Sequence, residues 1–381
     1  MLITSIVCIY ILEVYLFNWN YSKHNFQIIE NKKAAKILGK EFDTRTQYQV
    51  IKDMKDKKAV PSMSRTLIDV KGKKIQTLSG IGKRFTILCN EEGSWVSFNS
   101  DRYGFNNPDK LWDKKIDIMI LGDSSGLGLC VEQEENFSGH IRKKTNYNAL
   151  QVGGTGMGSL FEYAIYREYL SDKNIENLVM LFLLNDIDNI RESLNNDILK
   201  NYLSNKNFSQ SLVKKQYLIN QQLENHYLSF KENENKKIFQ RIIKVFHLRD
   251  YVNYILNFKK KKHIYDDFEL DNDIFSEILS IYKKIESDFD GNFYIAFYPA
   301  PSLYLKMHEE EKMKLEKLRN EVIKKFEFNG FKVIDFHNSL NLKDQPVDKI
   351  LPFGDLVNVE NHYTSFAHEL FAEEIIKVIN D

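Results

Sequence analysis

Ile116–Gly128 reads IDIMILGDSSGLG: an apolar run of strand length that enters a glycine-loosened turn carrying aspartate and serine. A run apolar at nearly every position, rather than at alternate ones, fits a parallel strand buried on both faces. The pattern recurs in YNALQV (147–152), NLVMLFLL (177–184), NFYIAFYP (292–299) and FKVIDF (331–336). Amphipathic helical stretches separate these runs. Strand–helix alternation of this kind predicts an α/β chain with a three-layer αβα arrangement, a parallel sheet covered by helices on both sides. Upstream, residues 61–110 carry short β-prone runs (KKIQTL, RFTILC, WVSF) broken by Gly72, Gly80, Gly82 and Gly93, which predicts a small β-rich elaboration. Residues 188–262 lack strand signals and read as a helical insertion or lid. Residues 20–60 read as a stalk or first surface helix.

The 381 residues include 53 Lys and Arg against 53 Asp and Glu. Zero net charge argues against a nucleic-acid binder, because phosphate neutralisation needs a positive excess or at least a clear basic stripe. The basic run Lys259–Lys262 sits beside an acidic stretch and reads as a solvated turn. With 43% hydrophobic residues a sizeable core is affordable and wholesale disorder is excluded. Three cysteines cannot build a cysteine-rich zinc site, and the nine histidines show no metal-ligand spacing. Neither a metal nor any other cofactor is expected.

Chemistry is expected at the carboxyl ends of the strands, where open α/β sheets present reactive groups. Ser124, at the end of the first strand and before a helix, has the position of a nucleophile, since turn amides there favour developing negative charge. Gly-Asp-Ser equally makes an ordinary turn and helix cap. Gly153–Gly158 (GGTGMG) can aim backbone amides into a crevice, or can simply loosen a loop. Asn185 could donate to an oxyanion or cap a turn. His362, just before the last amphipathic helix, could be a base or a surface residue.

In combination, the order Gly-Asp-Ser, Gln-Val-Gly-Gly-Thr-Gly, Leu-Asn-Asp and a late histidine resembles the SGNH/GDSL hydrolase superfamily over residues 111–381, whose sheet is flavodoxin-like. That resemblance implies Ser124 as nucleophile and His362 as base. It implies an oxyanion hole from Ser124, Gly156 and Asn185, with Asp123 structural. The family's acid stands three residues before the histidine, and that position here is Val359. Glu360 or Asp355 is expected to orient His362 instead, or a backbone carbonyl serves in a Ser-His dyad. The stretch LSGIGKRFTILCNEEGSWVSFNSDRYGFNNPD (78–109) is similar to the membrane-anchored branch associated with bacterial surface-polysaccharide clusters. The implied function is a serine esterase or O-acyl transferase on sugar esters of an envelope polysaccharide, the acylated glycan being its partner. The alternative is a non-catalytic SGNH-fold protein that binds glycan or assembles an envelope complex.

Residues 1–19 (MLITSIVCIYILEVYLFNW) are apolar apart from Glu13 and reach about 27 Å as a helix, enough for a thin bilayer. They read as an uncleaved signal anchor. Lys23, Lys32, Lys33 and Lys36 follow them, a flank that by itself favours a cytoplasmic location for the bulk of the chain. The resemblance favours an extracytoplasmic catalytic domain. In an oxidising compartment Cys89 and Cys130 are then expected to pair, closing a loop of about 40 residues, with Cys8 left apart.

Overall fold

A computed structural model describes residues 4, 7–16, 26–232, 242–257, 268–301, 309–340, 346–357 and 361–381. In chain order the strands are β1 (Val60–Pro61), β2 (Leu67–Val70), β3 (Lys73–Gln76), β4 (Phe85–Ile87), β5 (Ser97–Asn99), β6 (Ile116–Gly122), β7 (Ala149–Gly153), β8 (Ile175–Phe182), β9 (Asn292–Phe297) and β10 (Lys332–Asp335). The last five form one parallel sheet in the order β10-β9-β8-β6-β7. This is the flavodoxin-like order, whose crevice opens where the chain direction reverses, between β6 and β8.

The strands form because almost every side chain has somewhere apolar to go. Ile118, Met119, Ile120 and Leu121 of β6 and Leu178–Phe182 of β8 are fully buried. On one face lie the helices Phe137–Lys144 and Ser365–Asn380, where Phe336 and Phe371 stack at 4.5 Å. The opposite face carries Ser159–Ile165, Asn272–Asp288 and Glu309–Phe328. There Phe326 meets Phe182 edge-on at 5.0 Å and Phe275 at 5.1 Å. Each such aromatic contributes on the order of 2–3 kcal/mol through burial. Edge strand β7 is covered by a side chain acting as a strand: Asn107 donates to the carbonyl of Gln151 at 2.7 Å and accepts its N–H at 2.9 Å. Asn107 is held in turn by the buried carboxylate of Asp101, which also accepts from Trp112 Nε1 at 2.7 Å.

Residues 60–99 form two small sheets, β1-β4-β5 and the β2-β3 hairpin. The helix Leu212–Glu232 of the inserted region packs beneath them: Asn220 accepts from Gly82 N–H at 2.9 Å and Glu224 pairs with Arg84 at 2.6 Å. It serves as a buttress for the elaboration, not as a cover for the crevice. The helix Phe26–Ile37 is likewise no free stalk, since Asn31, Ala34 and Ala35 are fully buried against the rest of the fold.

The expected membrane segment lies partly outside the described residues. Within them, residues 7–16 are helical, and no described helix is long and apolar enough to cross a membrane. Glu13 is fully buried. It accepts backbone N–H groups from His247 at 3.0 Å and Leu248 at 2.8 Å, at the start of the helix Phe246–Asn257. That carboxylate is therefore matched to a helix N-terminus within the protein.

Candidate active site

Gly122 ends β6, and Asp123 caps the single turn Ser124–Leu127 by accepting the Ser125 N–H at 2.9 Å. The Ser124 hydroxyl lies 3.4 Å from the same carboxylate. The turn sits hard against β7. A Cβ on Gly153 would come within 2.4 Å of the Gly122 carbonyl oxygen and 2.5 Å of that of Asp123, a contact only glycine permits. Gly153, paired in register with Gly122, is thus the member of the glycine block that touches the Gly-Asp-Ser turn. Gly156 is farther out, half-exposed at φ +68°, with its carbonyl accepting from Arg65 Nη1 at 2.5 Å.

A cavity of about 200 Å³ opens at the carboxyl ends of β6 and β8. Ser124, Asn185 and His362 all line it, although they come from three separate segments of the chain. Gly156 is not among its lining residues. Leu183, Tyr298, Ala300 and Pro301 give it an apolar wall. The Asn185 amide also helps to stabilise Asp123 as a carboxylate. Among the described residues, none of those lining the cavity belongs to the inserted helices.

Among the described residues, the acid beside His362 is Glu91. Glu360 and the side chain of Asp355 fall outside the described residues. Glu91, in the loop after β4, places Oε1 2.9 Å from His362 Nδ1 and accepts the His362 backbone N–H through Oε2 at 2.6 Å. Its side chain is only 8% exposed. Gln27 donates to Glu91 Oε1 at 3.1 Å, and Asn31 donates to the Glu91 carbonyl at 3.2 Å. Both also bond Asn361 Oδ1, at 2.8 and 3.1 Å, so the helix Phe26–Ile37 fixes both members of the pair. An acceptor on Nδ1 leaves Nε2 as the lone-pair nitrogen, the tautomer a general base requires.

Sequence reasoning missed Glu91 because a lone glutamate in a loop, 271 residues before its histidine, carries no local pattern. One indirect signal existed. Cys89 and Cys130 are joined in a disulfide with Cα atoms 5.3 Å apart. Cys130 lies just after the Ser124 turn, so that bridge brings residues 90–92 to the site. Glu91, His362 and Cys130 offer ligand atoms within 4.8 Å of one another. With its sulfur committed to the disulfide, Cys130 is no thiolate, and the two remaining groups do not make a metal centre.

Beneath the turn, Asp123, Glu162 and Asp186 are all buried. Burial raises all three carboxyls above their ordinary range. Mutual repulsion adds to this, through Asp186 on Glu162 and Asp123 on Asp186. Tyr282 donates to Glu162 at 3.1 Å and the Leu183 N–H to Asp186 at 2.8 Å. Asp123 alone also feels attraction from His362. Asp123 is consequently the member best placed to carry the charge.

No family model matches this chain, and no curated protein does. Among solved structures, it is similar to a lipolytic protein of the G-D-S-L family from Veillonella parvula, at 12% identity and a TM-score of 0.35, covering 70% of this chain and 98% of that one. It is also similar to an acetyl xylan esterase (12%, TM-score 0.37, covering 69% and 100%). A third is a catalytic variant of an acetylxylan esterase from Geobacillus stearothermophilus (11%, TM-score 0.38, covering 70% and 97%). At these values the fold class rests on the strand order, and the site on its own geometry.

Proposed function

We propose that the protein is a serine esterase or O-acyl transferase acting on acyl, most simply acetyl, esters of a polysaccharide. The observation that carries this reading is the meeting of Ser124, Asn185 and His362 in one cavity, with Glu91 on the far nitrogen of the imidazole. Ser124 Oγ attacks the ester carbonyl carbon while its proton passes to His362 Nε2. The Ser124 N–H and the Asn185 amide receive the negative charge that develops on the carbonyl oxygen. The carbon–oxygen bond to the sugar then breaks, and the sugar oxygen takes the proton from His362. In the second half, water or a sugar hydroxyl gives its proton to His362 and attacks the acyl-serine, releasing acid or a new ester and restoring Ser124. The cavity of about 200 Å³, walled by Leu183, Tyr298 and Ala300, suits a short acyl chain.

Membrane attachment through the apolar segment 1–19 and an extracytoplasmic catalytic domain belong to the same reading. The Cys89–Cys130 bridge supports the second of these, since disulfides persist in oxidising compartments. A fluorophosphonate probe should label Ser124 in the full chain and leave Ser124→Ala unlabelled. Hydrolysis of nitrophenyl acetate should fall by about a thousandfold or more in that variant. Equal labelling of the two proteins would remove the nucleophile and the reading with it.

A further inference from the structure

A second cleft, of about 430 Å³, lies on the elaboration and is lined by Lys57, Lys58, Lys83, Arg84, Phe85 and Asn99. Four of its six residues are cationic, in a chain whose net charge is zero. Among the described residues, the acidic groups that act on them include Glu224, Asp109 and Asp113. Arg84 is paired with Glu224 at 2.6 Å, and Lys83 reaches Asp109 only loosely, at 3.8 Å. Lys57 lies over the Phe85 ring at 4.5 Å from its centroid, and Lys58 stands exposed beside it. Both Lys58 (φ 49°) and Lys83 (φ 54°) hold left-handed backbone conformations that side-chain-bearing residues rarely adopt. Beyond the Lys57–Phe85 and Arg84–Glu224 contacts, the like charges gathered here repel one another, and an anionic ligand would relieve that repulsion.

The cleft is connected to the candidate active site by one strand. Phe85 opens β4, and the chain runs from it directly to Cys89 and Glu91. Six extended residues span at most about 20 Å. A ligand seated on the lysines is therefore within a few sugar units of His362.

Resting on the esterase reading, we propose that this cleft binds the acidic residues of the substrate, so that the natural glycan is an anionic polysaccharide whose uronate or other anionic groups flank the acylated sugar. Two independent readouts test it. The full chain should bind a polygalacturonate oligosaccharide at low ionic strength, measured by titration calorimetry. That binding should weaken with added salt and weaken by about tenfold or more in the double variant Lys57→Glu/Lys58→Glu. A fully methyl-esterified, uncharged counterpart should bind no better to the native protein than to the variant. Turnover of nitrophenyl acetate should be equal in the two proteins, which also shows that the variant is folded. Equal affinity of both proteins for the polyuronate would overturn the proposal. So would equal binding of the charged and uncharged glycans, or capture by anionic phospholipid vesicles without polyuronate binding. Failure of the esterase reading is separately visible, as absent nitrophenyl acetate turnover whatever the calorimetry gives.

Discussion

Replacing Glu91 by glutamine removes one charge and keeps the side chain's shape, and the structure makes its effect on catalysis calculable in outline. Three donors converge on this carboxylate: the His362 backbone N–H at 2.6 Å, His362 Nδ1 at 2.9 Å and Gln27 Nε2 at 3.1 Å. An amide offers one oxygen and one NH2. If its oxygen faces the imidazole, its NH2 opposes the His362 backbone N–H. If its oxygen faces the backbone, its NH2 donates to Nδ1, moves the ring proton to Nε2 and leaves no lone pair for Ser124. The second arrangement keeps the shorter hydrogen bond and is the one expected. A serine hydrolase whose histidine is held in the wrong tautomer loses roughly 10³–10⁴ in kcat, or about 4–5.5 kcal/mol in the barrier. Burial of Glu91 spares the interaction from solvent screening. The assay is kcat and KM for nitrophenyl acetate across a pH series, with thermal unfolding to verify the fold. A Glu91→Gln protein that keeps more than about a tenth of native kcat would refute the assignment of Glu91 as the orienting acid.

Other perturbations test the surrounding parts. Asn185→Ala should lower kcat by about a hundredfold or more with KM little changed, because the lost donor serves charge that exists only in the transition state; a pure KM effect would place Asn185 in ground-state binding. Cys89→Ser or Cys130→Ser opens a loop with a sequence separation of 41 and should cost about 4 kcal/mol in chemical unfolding. It should also lower kcat by freeing the Glu91 loop, and an unchanged kcat would mean that the helix Phe26–Ile37 holds that loop alone. His368 is buried against Phe137, with ring centroids 4.2 Å apart, and burial depresses it to about 3. The unfolded chain then binds the extra proton between about pH 6.5 and 3, so stability falls as pH falls through that window. From pH 6.5 to 5 the loss is about 2 kcal/mol. His368→Leu should be less acid-sensitive than the native protein by that amount in denaturant unfolding, and equal pH slopes would refute it.

The parallel strands were legible in the sequence because their signal is local, and three residues of the candidate site because of their order along the chain. Ile116–Gly122 and Asn177–Leu184 announce buried strands through unbroken apolar runs, and Ser124 and Asn185 follow directly at their ends. His362 was found by its place before an amphipathic helix. Glu91 was hidden because its partner is fixed by tertiary packing, with no spacing rule to disclose it. Gly156, expected as an oxyanion donor, is not among the residues that line the cavity. A glycine block shows that backbone approaches something, without showing which glycine makes the approach, and β-register assigned that contact to Gly153. Residues 20–60 were expected to be a stalk or a first surface helix; a helix is present over Phe26–Ile37, and its Gln27 and Asn31 amides, which composition does not weigh, reach Glu91 and Asn361.

The partnership of Glu91 with His362 also sets when the protein can first act. During synthesis the acid emerges early and the histidine late, with the whole sheet to be laid down between them. Contacts so distant in sequence close slowly, after local elements have formed. The cysteines must also have met an oxidant before the Glu91 loop is tied to the turn that bears Ser124. On the proposed reading, a polypeptide released early would carry Ser124 without His362 beside it, and one whose thiols stay reduced would hold the Glu91 loop through the helix Phe26–Ile37 alone. If Ser124 and His362 act as proposed, acyl transfer is thereby withheld from unfinished copies of the molecule.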